Sequence, residues 1–251
     1  MSAQVLYEDS DHKFIWLKWD QEEEGELVQT NQFLIINRGK GVLLDPGSVY
    51  VLPEVIASVS EHIDLDRIEY IFYTHQDPDV SSGIPVWLEN TNAKVYISKL
   101  WTRFLPHFGL MDTSRIVGIE DKGGEITLGT GDKLLLIPAH FLHSTGNFTL
   151  FDTRSRILFS GDIGASVFPK GESYSFVEDF DRHLPYTEGF HRRYMASKRA
   201  CRIWVNMVKK HNPQMIAPQH GALFKGESVN RFLDWLSDLD CGVDILEKIV
   251  E

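Results

Sequence analysis

Four apolar segments of this sequence each lead into side chains that can bind a metal ion. These side chains are His75, Asp77 and Asp79 after IFYT, His140 and His143 after LLLIPA, Asp162 after ILFSG, and His220 after MIAP. Binding sites are usually built in loops at strand ends, where a rigid scaffold holds them. Any one of these residues alone is better explained as an ordinary turn or hydrogen-bonding residue. Four such ends in succession favour a fold that gathers them into a metal site.

The pattern of apolar residues predicts a mixed α/β fold. The predicted strands, rich in β-branched and aromatic residues, are 13–19, 32–37, 41–45, 68–74, 93–98, 133–139, 147–152, 156–162 and 214–220. Helical periodicity appears over 52–63, 188–210 and 228–239, whereas 168–186 is predicted as a loop. Strands interleaved with a few helices predict an αββα sandwich, with two sheets inside and helices outside.

Length and composition predict the domain organisation and argue against some classes of partner. The 251 residues show no repeat or low-complexity linker, so we predict a single domain over 1–251, with a helical segment at 226–251. The net charge of −11 argues against a nucleic-acid or anionic-membrane partner. No apolar run approaches the ~20 residues that span a bilayer, and the polar N-terminus lacks a signal peptide.

The cysteine content predicts the compartment. Cys201 and Cys241 have no short paired spacing, which indicates a reducing cytoplasm rather than a disulfide framework. The acidic run EEEGE at 22–26 is predicted to be a solvated loop.

Five motifs give the chain a family resemblance. GVLLDPG, THQDPDVSSG, HSTGNF, SGDIGAS and APQHGAL resemble successive motifs of the metallo-β-lactamase fold, over residues 14–223. Within that superfamily the chain is similar to the diiron domain of flavodiiron proteins. In those proteins a carboxylate replaces the middle His of the first hydrolase motif, and the matching residue here is Asp77.

The resemblance implies a two-metal centre. The implied ligands are His75, Asp77 and His143 for one metal, Asp79 and His220 for the other, and Asp162 as the bridge between them. Asp45, in the first motif, is implied to support the site without binding metal. Val80 stands where the family has a further His, so one expected ligand is missing.

The donor set favours two iron ions. Three imidazoles and three carboxylates, with no thiolate, suit iron or manganese better than structural zinc, although metal availability keeps zinc as an alternative. The negative charges of three carboxylates and one bridging hydroxide balance the charge of two Fe2+ ions. When two Fe3+ ions hold dioxygen as peroxide, the three carboxylates, the bridging hydroxide and the peroxide again balance the charge of the ions. Oxygen binding therefore leaves no unbalanced buried charge, which would be costly.

The missing ligand at Val80 has three interpretations. The second metal has an open position for an exogenous ligand, which we favour because the other ligands remain. Alternatively, a residue from elsewhere fills the position, for which Tyr50, Tyr174 and Tyr194 are candidates. In the third interpretation the second metal site is inactive.

A bound flavin is not expected. HSTGNFT faintly resembles a flavodoxin phosphate loop, but a strand follows it, and phosphate binding requires a helix N-terminus there. Without flavin, two irons supply two electrons, which suffice to make peroxide but not to reduce dioxygen to water.

The leading hypothesis is therefore a dioxygen-binding diiron sensor. The resemblance extends to flavin-free oxygen-binding diiron proteins associated with chemotactic signalling, in which bound dioxygen changes a surface that a signalling partner recognises. The alternative is an oxidoreductase that reduces NO or O2 with an external redox partner. A dinuclear zinc hydrolase ranks lower, because such enzymes usually have His at the positions of Asp77 and Val80. A metal-free scaffold ranks last.

Further residues receive weaker hypotheses. His140 either orients a ligand or caps a strand end. His191 and Tyr194, three residues apart on one predicted helix, either line the pocket or pack in the core. The 168–186 loop is predicted to cover the site. No pattern separates the remaining histidines, His12, His62, His107, His183 and His211, from surface residues.

Overall fold

Two seven-stranded sheets form the centre of the molecule. The structure, a computed structural model, describes residues 2–18 and 29–251, so the predicted loop at 22–26 lies outside the described residues. The first sheet has the order β1 (Ser2–Glu8), β2 (His12–Lys18), β3 (Gln32–Asn37), β4 (Lys40–Leu44), β5 (Ile68–Phe72), β6 (Lys94–Ser98) and β7 (Ile116–Ile119). The strands of the second are β8 (Gly124–Thr127), β9 (Lys133–Pro138), β10 (Phe148–Asp152), β11 (Ile157–Gly161), β12 (Phe176–Val177), β13 (Met215–Pro218) and β14 (Leu223–Lys225). Their spatial order is β12-β14-β13-β11-β10-β9-β8.

Helices cover the outer face of each sheet. They are α1 (Leu52–Ser60), α2 (Pro78–Ser81), α3 (Ile84–Asn90), α4 (Phe180–Tyr194), α5 (Lys198–Lys209), α6 (Glu227–Asp238) and α7 (Leu246–Val250). Within the described residues, none is long and apolar enough to cross a membrane.

The alternation of side chains along the strands explains the layers. In β2, Phe14 and Trp16 belong to the apolar cluster between the two sheets, while Ile15 and Leu17 belong to the cluster under α1, α2 and α3. On the outer face of the second sheet, Leu158 shares a third cluster with side chains of α4, α5 and α6. Three apolar layers thus separate four structural layers, and the predicted αββα sandwich is confirmed.

Strand direction explains why the candidate residues converge. In the first sheet β4 and β5 are parallel, so the loops after them leave from the same edge. In the second sheet β11 and β13 are parallel, and β9 shares their direction because β10 is antiparallel to both β9 and β11. The carboxyl ends of these strands therefore carry the loops that hold the candidate ligands.

All nine predicted strands are present, with bounds that differ by at most a few residues. Strands β1, β7, β8, β12 and β14 were missed. Two of them are weak in sequence: β12 has two residues, and three of the four residues of β8 are exposed, so neither produces an apolar run.

The prediction of one long helix over 188–210 is wrong, because two helices occupy this region. The α4 helix ends at Tyr194, and α5 begins after Ser197, whose hydroxyl accepts the N–H of Ala200. Between them Met195 has an extended backbone and forms a β-bridge with Leu142. Tertiary pairing therefore overrides helical periodicity at this linker.

The prediction of a loop over 168–186 is wrong from Phe180 onward, where α4 begins. The Asp179 carboxylate caps this helix by accepting the N–H groups of Asp181 and Arg182. Pro185, which discouraged a helix prediction, lies within α4.

Protonation of a buried histidine in α4 should destabilise the fold in acid. His183 is fully buried, its Nδ1 accepts the Tyr174 hydroxyl at 2.6 Å, and burial lowers its pKa from 6.5 to about 4. Since the unfolded side chain keeps the higher pKa, stability falls as the pH drops from about 6.5 to about 4. We expect this residue to contribute a loss of about 2 kcal/mol at pH 5 relative to pH 7.

Urea unfolding at the two pH values measures this loss. His183→Asn should lose about 2 kcal/mol less than the unmodified protein between pH 7 and pH 5. The exposed His62→Asn variant is the control and should behave like the unmodified protein. Equal acid destabilisation in both variants would contradict the assignment to His183.

Candidate metal centre

The loop after β5 places His75 with one ring nitrogen free. The Thr74 hydroxyl donates to Asp45 Oδ2 at 2.5 Å, and the Thr74 N–H donates to Asp45 Oδ1 at 2.8 Å. The hydroxyl proton is thereby used, so His75 Nδ1–H donates to Thr74 Oγ1 at 2.8 Å. The Nε2 atom of His75, which is 1% exposed, keeps its lone pair for a metal.

Asp45 is buried in an uncommon conformation. Its backbone has φ of 38°, in the left-handed region that few non-glycine residues adopt. Burial raises the pKa of Asp45 well above its usual value, and the two donors of Thr74 act against this shift. Asp45 thus accepts two hydrogen bonds from Thr74, the residue that precedes His75.

Asp77, from a loop of the first sheet, contacts His143, from a loop of the second sheet. Asp77 precedes α2, and its Oδ2 lies 2.9 Å from His143 Nε2 and 3.7 Å from His75 Nε2. His143 has φ of 70°, and the Asn147 side chain holds its loop by donating to the Leu142 carbonyl at 2.6 Å. The hydrogen bond from His143 lowers the pKa of Asp77.

Asp162 lies between two groups of candidate ligands. Its Oδ2 is 3.5 Å from His143 Nε2, while its Oδ1 is 3.5 Å from His220 Nε2 and 3.9 Å from His75 Nε2. Burial acts to raise the pKa of Asp162, but the facing His220 and His75 side chains outweigh it and hold the pKa well below the usual value. This carboxylate is therefore placed to bridge two cations.

His220 and Asp79 form the second group. Their Nε2 and Oδ2 atoms are 3.5 Å apart. His220 Nδ1 donates to the Gln29 carbonyl at 2.7 Å, which directs Nε2 toward Asp162. Burial acts to lower the pKa of His220, but Asp162, the Gln29 carbonyl and Asp79 raise it to about 9.

These residues fit a metal centre. The buried His75 Nε2 and Asp162 Oδ1 have no hydrogen-bond partner within the described part of the chain. Ligand atoms of His75, His143 and Asp162 all lie within 4.8 Å of one another. Two ligand atoms that are each about 2.1 Å from one ion lie about 3–4 Å apart, which matches the measured separations. The six candidate residues thus lie in two adjoining groups of side chains, with Asp162 facing both.

Val80 follows the candidate ligand Asp79 in sequence and carries no donor atom. It is fully buried in the apolar cluster under α1, α2 and α3. Of the three tyrosines considered as replacements, Tyr50 is 63% exposed and Tyr174 is hydrogen-bonded to His183. The Tyr194 ring lies 5.4 Å from the His143 ring, on the side of the first group of ligands.

His140 contacts the backbone instead of a candidate ligand. Its Nε2 donates to the Asp121 carbonyl at 2.6 Å, and no hydrogen bond joins it to a candidate ligand among residues 2–18 and 29–251. The structure thus favours the strand-end alternative for His140.

Two residues near the centre, Thr74 and Phe190, escaped the sequence analysis. Thr74 orients His75, and Phe190 stacks on Tyr194 at 4.7 Å so that both rings cover His143. The fully buried His191 accepts the N–H of Gly164, two residues after Asp162, at 2.9 Å. The sequence analysis placed His191 only as a pocket-lining or core residue. Its contact with the backbone of Gly164 left no signal in the sequence.

His12 and His183 are also not the surface residues that the sequence indicated. Both are buried, and His12 Nε2 lies 2.7 Å from Asp152 Oδ2, at the end of β10.

The contact between Thr74 and His75 gives a prediction. Thr74→Val keeps the shape of the side chain but removes the oxygen that receives the His75 Nδ1 proton. We expect metal affinity to fall by about 10–100-fold, which is the usual cost of losing such an orienting contact. Titration of the metal-free protein with Co2+, followed by visible absorption, measures the change.

The matched control is Thr91→Val, because Thr91 is also buried but its hydroxyl bonds to the Trp87 carbonyl at the end of α3. If both variants bind Co2+ like the unmodified protein, Thr74 does not orient His75.

Solved structures resemble the whole chain. A structure described as the peroxy diiron species of the chemotaxis sensor ODP is 55% identical and covers 99% of this chain and 100% of its own, with a TM-score of 0.90. The apo state of the ODP sensor from T. denticola is 54% identical with a TM-score of 0.88. A flavodiiron protein from Thermotoga maritima, 21% identical over 94% of this chain and 60% of its own, shares the fold with a TM-score of 0.76.

Curated relatives are more distant and longer. An uncharacterised protein of Methanocaldococcus jannaschii is 27% identical over 82% of this chain and 52% of the relative. An anaerobic nitric oxide reductase flavorubredoxin from Enterobacter is 24% identical over 81% of this chain and 44% of the relative. The chain thus spans about half the length of these relatives.

A family model matches most of the chain. It covers residues 28–221, the region that contains all six candidate ligands. The matching family is described as the ODP family of β-lactamase domains. The chain therefore belongs to the ODP family of β-lactamase-fold proteins.

Proposed function

We propose that this protein is a diiron sensor of dioxygen. Support comes from the 55% identity with a chemotaxis sensor whose peroxy diiron species has been solved. The observation that carries the proposal is Asp162, because its two carboxylate oxygens face two separate groups of imidazole and carboxylate ligands. Two Fe2+ ions held by these groups would supply the two electrons that oxidative binding of dioxygen requires.

The proposed ligands are His75, Asp77, Asp79, His143, Asp162 and His220. Two of them are held in place before any metal binds: Thr74 holds His75, and the Gln29 carbonyl holds His220. Such prior positioning favours binding of two ions at fixed separation.

Aromatic and apolar side chains lie next to the candidate ligands. Phe190 and Tyr194 cover His143 with aromatic rings, and Val80 presents no donor to the second metal. We propose that Val80 leaves the position at which dioxygen binds. The protein then transmits its ligand state to a signalling partner, in a chemotaxis system as for the similar sensor.

Anaerobic loading tests this function. The protein is loaded with Fe2+, its iron is counted, and one addition of dioxygen is followed by visible absorption. We expect two irons per chain and an absorption band that lasts for minutes. Failure to bind iron stoichiometrically, or retention of zinc, would contradict the proposal and favour a hydrolase.

A second candidate function is reduction of NO or O2. The likeness to the flavorubredoxin and to flavodiiron folds favours it. In this case an external donor must supply electrons, so rapid bleaching after oxygen and steady turnover with an added reductant would identify a reductase.

Domain organisation, cellular compartment and alternative metals complete the proposed function. We propose that residues 1–251 act as one domain in the cytoplasm, with Mn or Zn as substitutes for iron in the same ligands. Size-exclusion chromatography and limited proteolysis would test the single domain, because independent units would be released as separate fragments.

A further inference from the structure

The two cysteines of the chain lie side by side in its interior. Cys201 is in the first turns of α5, and Cys241 directly precedes a 3-10 helix at Gly242–Ile245. Both are fully buried, and their sulfurs are 3.9 Å apart although the residues are 40 positions apart in sequence. A disulfide has a sulfur–sulfur distance of about 2 Å, so its formation needs an approach of about 2 Å. This distance is within reach of a side-chain rotation together with a small shift of the chain.

The contacts make Cys241 the more reactive thiol. The Cys241 sulfur accepts the backbone N–H of Asp244. Hydrogen bonding from Cys201 lowers the pKa of Cys241, while the same contact raises the pKa of Cys201. Since the thiolate is the nucleophile, Cys241 is the sulfur that attacks an oxidant.

The segment that carries Cys241 can open locally. We define residues 240–251 as the C-terminal segment, which contains a four-residue 3-10 helix and the five-residue α7. Its side chains Val243, Leu246 and Val250 are between 52% and 74% exposed. Short elements with little buried surface open at low free-energy cost. An oxidant therefore reaches Cys241 without global unfolding.

We propose that Cys201 and Cys241 are a redox-active pair that a hydroperoxide oxidises to a disulfide, which ties the C-terminal segment to α5. In the first step the Cys241 thiolate attacks hydrogen peroxide, forming a sulfenic acid and releasing hydroxide. In the second step the Cys201 sulfur attacks the sulfenic sulfur, the S–OH bond breaks, and water leaves. Overall, two thiols are oxidised by two electrons, and one peroxide is reduced to two waters.

The pair is connected to the loop that carries His143. Val243 N–H donates to the Ala196 carbonyl at 2.9 Å, and Ala196 N–H donates to the Phe141 carbonyl at 3.0 Å. The linker between α4 and α5 thus lies between the C-terminal segment and this loop. A disulfide that fixes the C-terminal segment stabilises the hydrogen bond between Val243 and Ala196 of the linker.

Metal-free, fully reduced protein is the material for the test, so the result does not depend on the proposed function. One equivalent of hydrogen peroxide is added, and intact mass and peptide mapping follow. We expect a loss of about 2 Da and one cross-linked peptide pair containing Cys201 and Cys241, both reversed by dithiothreitol. Two persistent free thiols, or gains of about 16 Da without a cross-link, would overturn the proposal.

Two variants test the order of attack. In Cys201→Ser, Cys241 should accumulate as a sulfenic acid that dimedone traps. Cys241→Ser should react with peroxide at least about tenfold more slowly, because the remaining Cys201 thiol is fully buried in α5 and does not lie on the segment that opens. The opposite pattern would overturn the assignment of Cys241 as the nucleophile.

Hydrogen exchange tests the structural effect. Oxidation should slow amide exchange in the C-terminal segment by about tenfold or more, because the disulfide prevents local opening. The amides of α1, which is distant in sequence and packs on the first sheet, are the internal control. Unchanged exchange in the segment despite a complete cross-link would overturn the proposed tie.

Discussion

Asp162→Asn should abolish binding of both metal ions. The two oxygens of Asp162 face the two groups of candidate ligands, with Oδ2 at 3.5 Å from His143 Nε2 and Oδ1 at 3.5 Å from His220 Nε2. An amide keeps the size of the side chain but removes the negative charge and one acceptor. We expect Co2+ affinity to fall by more than about 100-fold at both sites, since even the loss of an outer contact costs 10–100-fold.

Metal counting after dialysis and titration with Co2+ measure this loss, and circular dichroism verifies that the variant is folded. The control is Asp79→Asn, which removes a carboxylate that faces His220 but not His143. That variant should keep about one ion per chain. A folded Asp162→Asn variant that retains two ions would exclude Asp162 as the bridge.

Val80→His should change the free energy of unfolding, and the direction of the change should depend on whether metal is bound. In the metal-free protein, the imidazole enters a fully buried apolar position, so we expect a loss of about 1–3 kcal/mol in the free energy of unfolding. In the metal-loaded protein the added donor should bind the second ion and recover this loss. The occupied position should then slow the reaction with dioxygen by about tenfold or more, because an open position is what admits an exogenous ligand.

Urea unfolding with and without Co2+, and stopped-flow absorption of the iron-loaded protein, are the two measurements. Val80→Leu is the matched control because it adds volume but no donor. Equal oxygen rates in the two variants would show that residue 80 does not face the oxygen-binding position.

The strand ends were predictable because their signal is local. The segments before His75, Asp162 and His220 are mostly apolar, and each leads into a polar residue, so periodicity and composition locate both the strand and the loop. The sandwich follows from the same pattern. Once the carboxyl ends of parallel strands share an edge, the convergence of these residues needs no further information.

The errors lie where distant contacts decide the local structure. Met195 interrupts the long predicted helix because its backbone pairs with Leu142, which is more than fifty positions earlier. Thr74 and the Gln29 carbonyl orient ligands through contacts that no spacing rule identifies. His183 resembles a surface histidine in sequence, and only the packing of α4 on the second sheet buries it.

The distribution of ligands between the two sheets has a consequence for the life of the protein in the cell. Loops of the first sheet carry His75, Asp77 and Asp79, and loops of the second carry His143, Asp162 and His220. A metal ion bound by these candidate ligands would therefore hold the first and second halves of the chain together. Because a ligand that binds only the native state adds to its stability, the metal-poor form is the more easily degraded one. The abundance of the protein should then follow the metal supply of the cell.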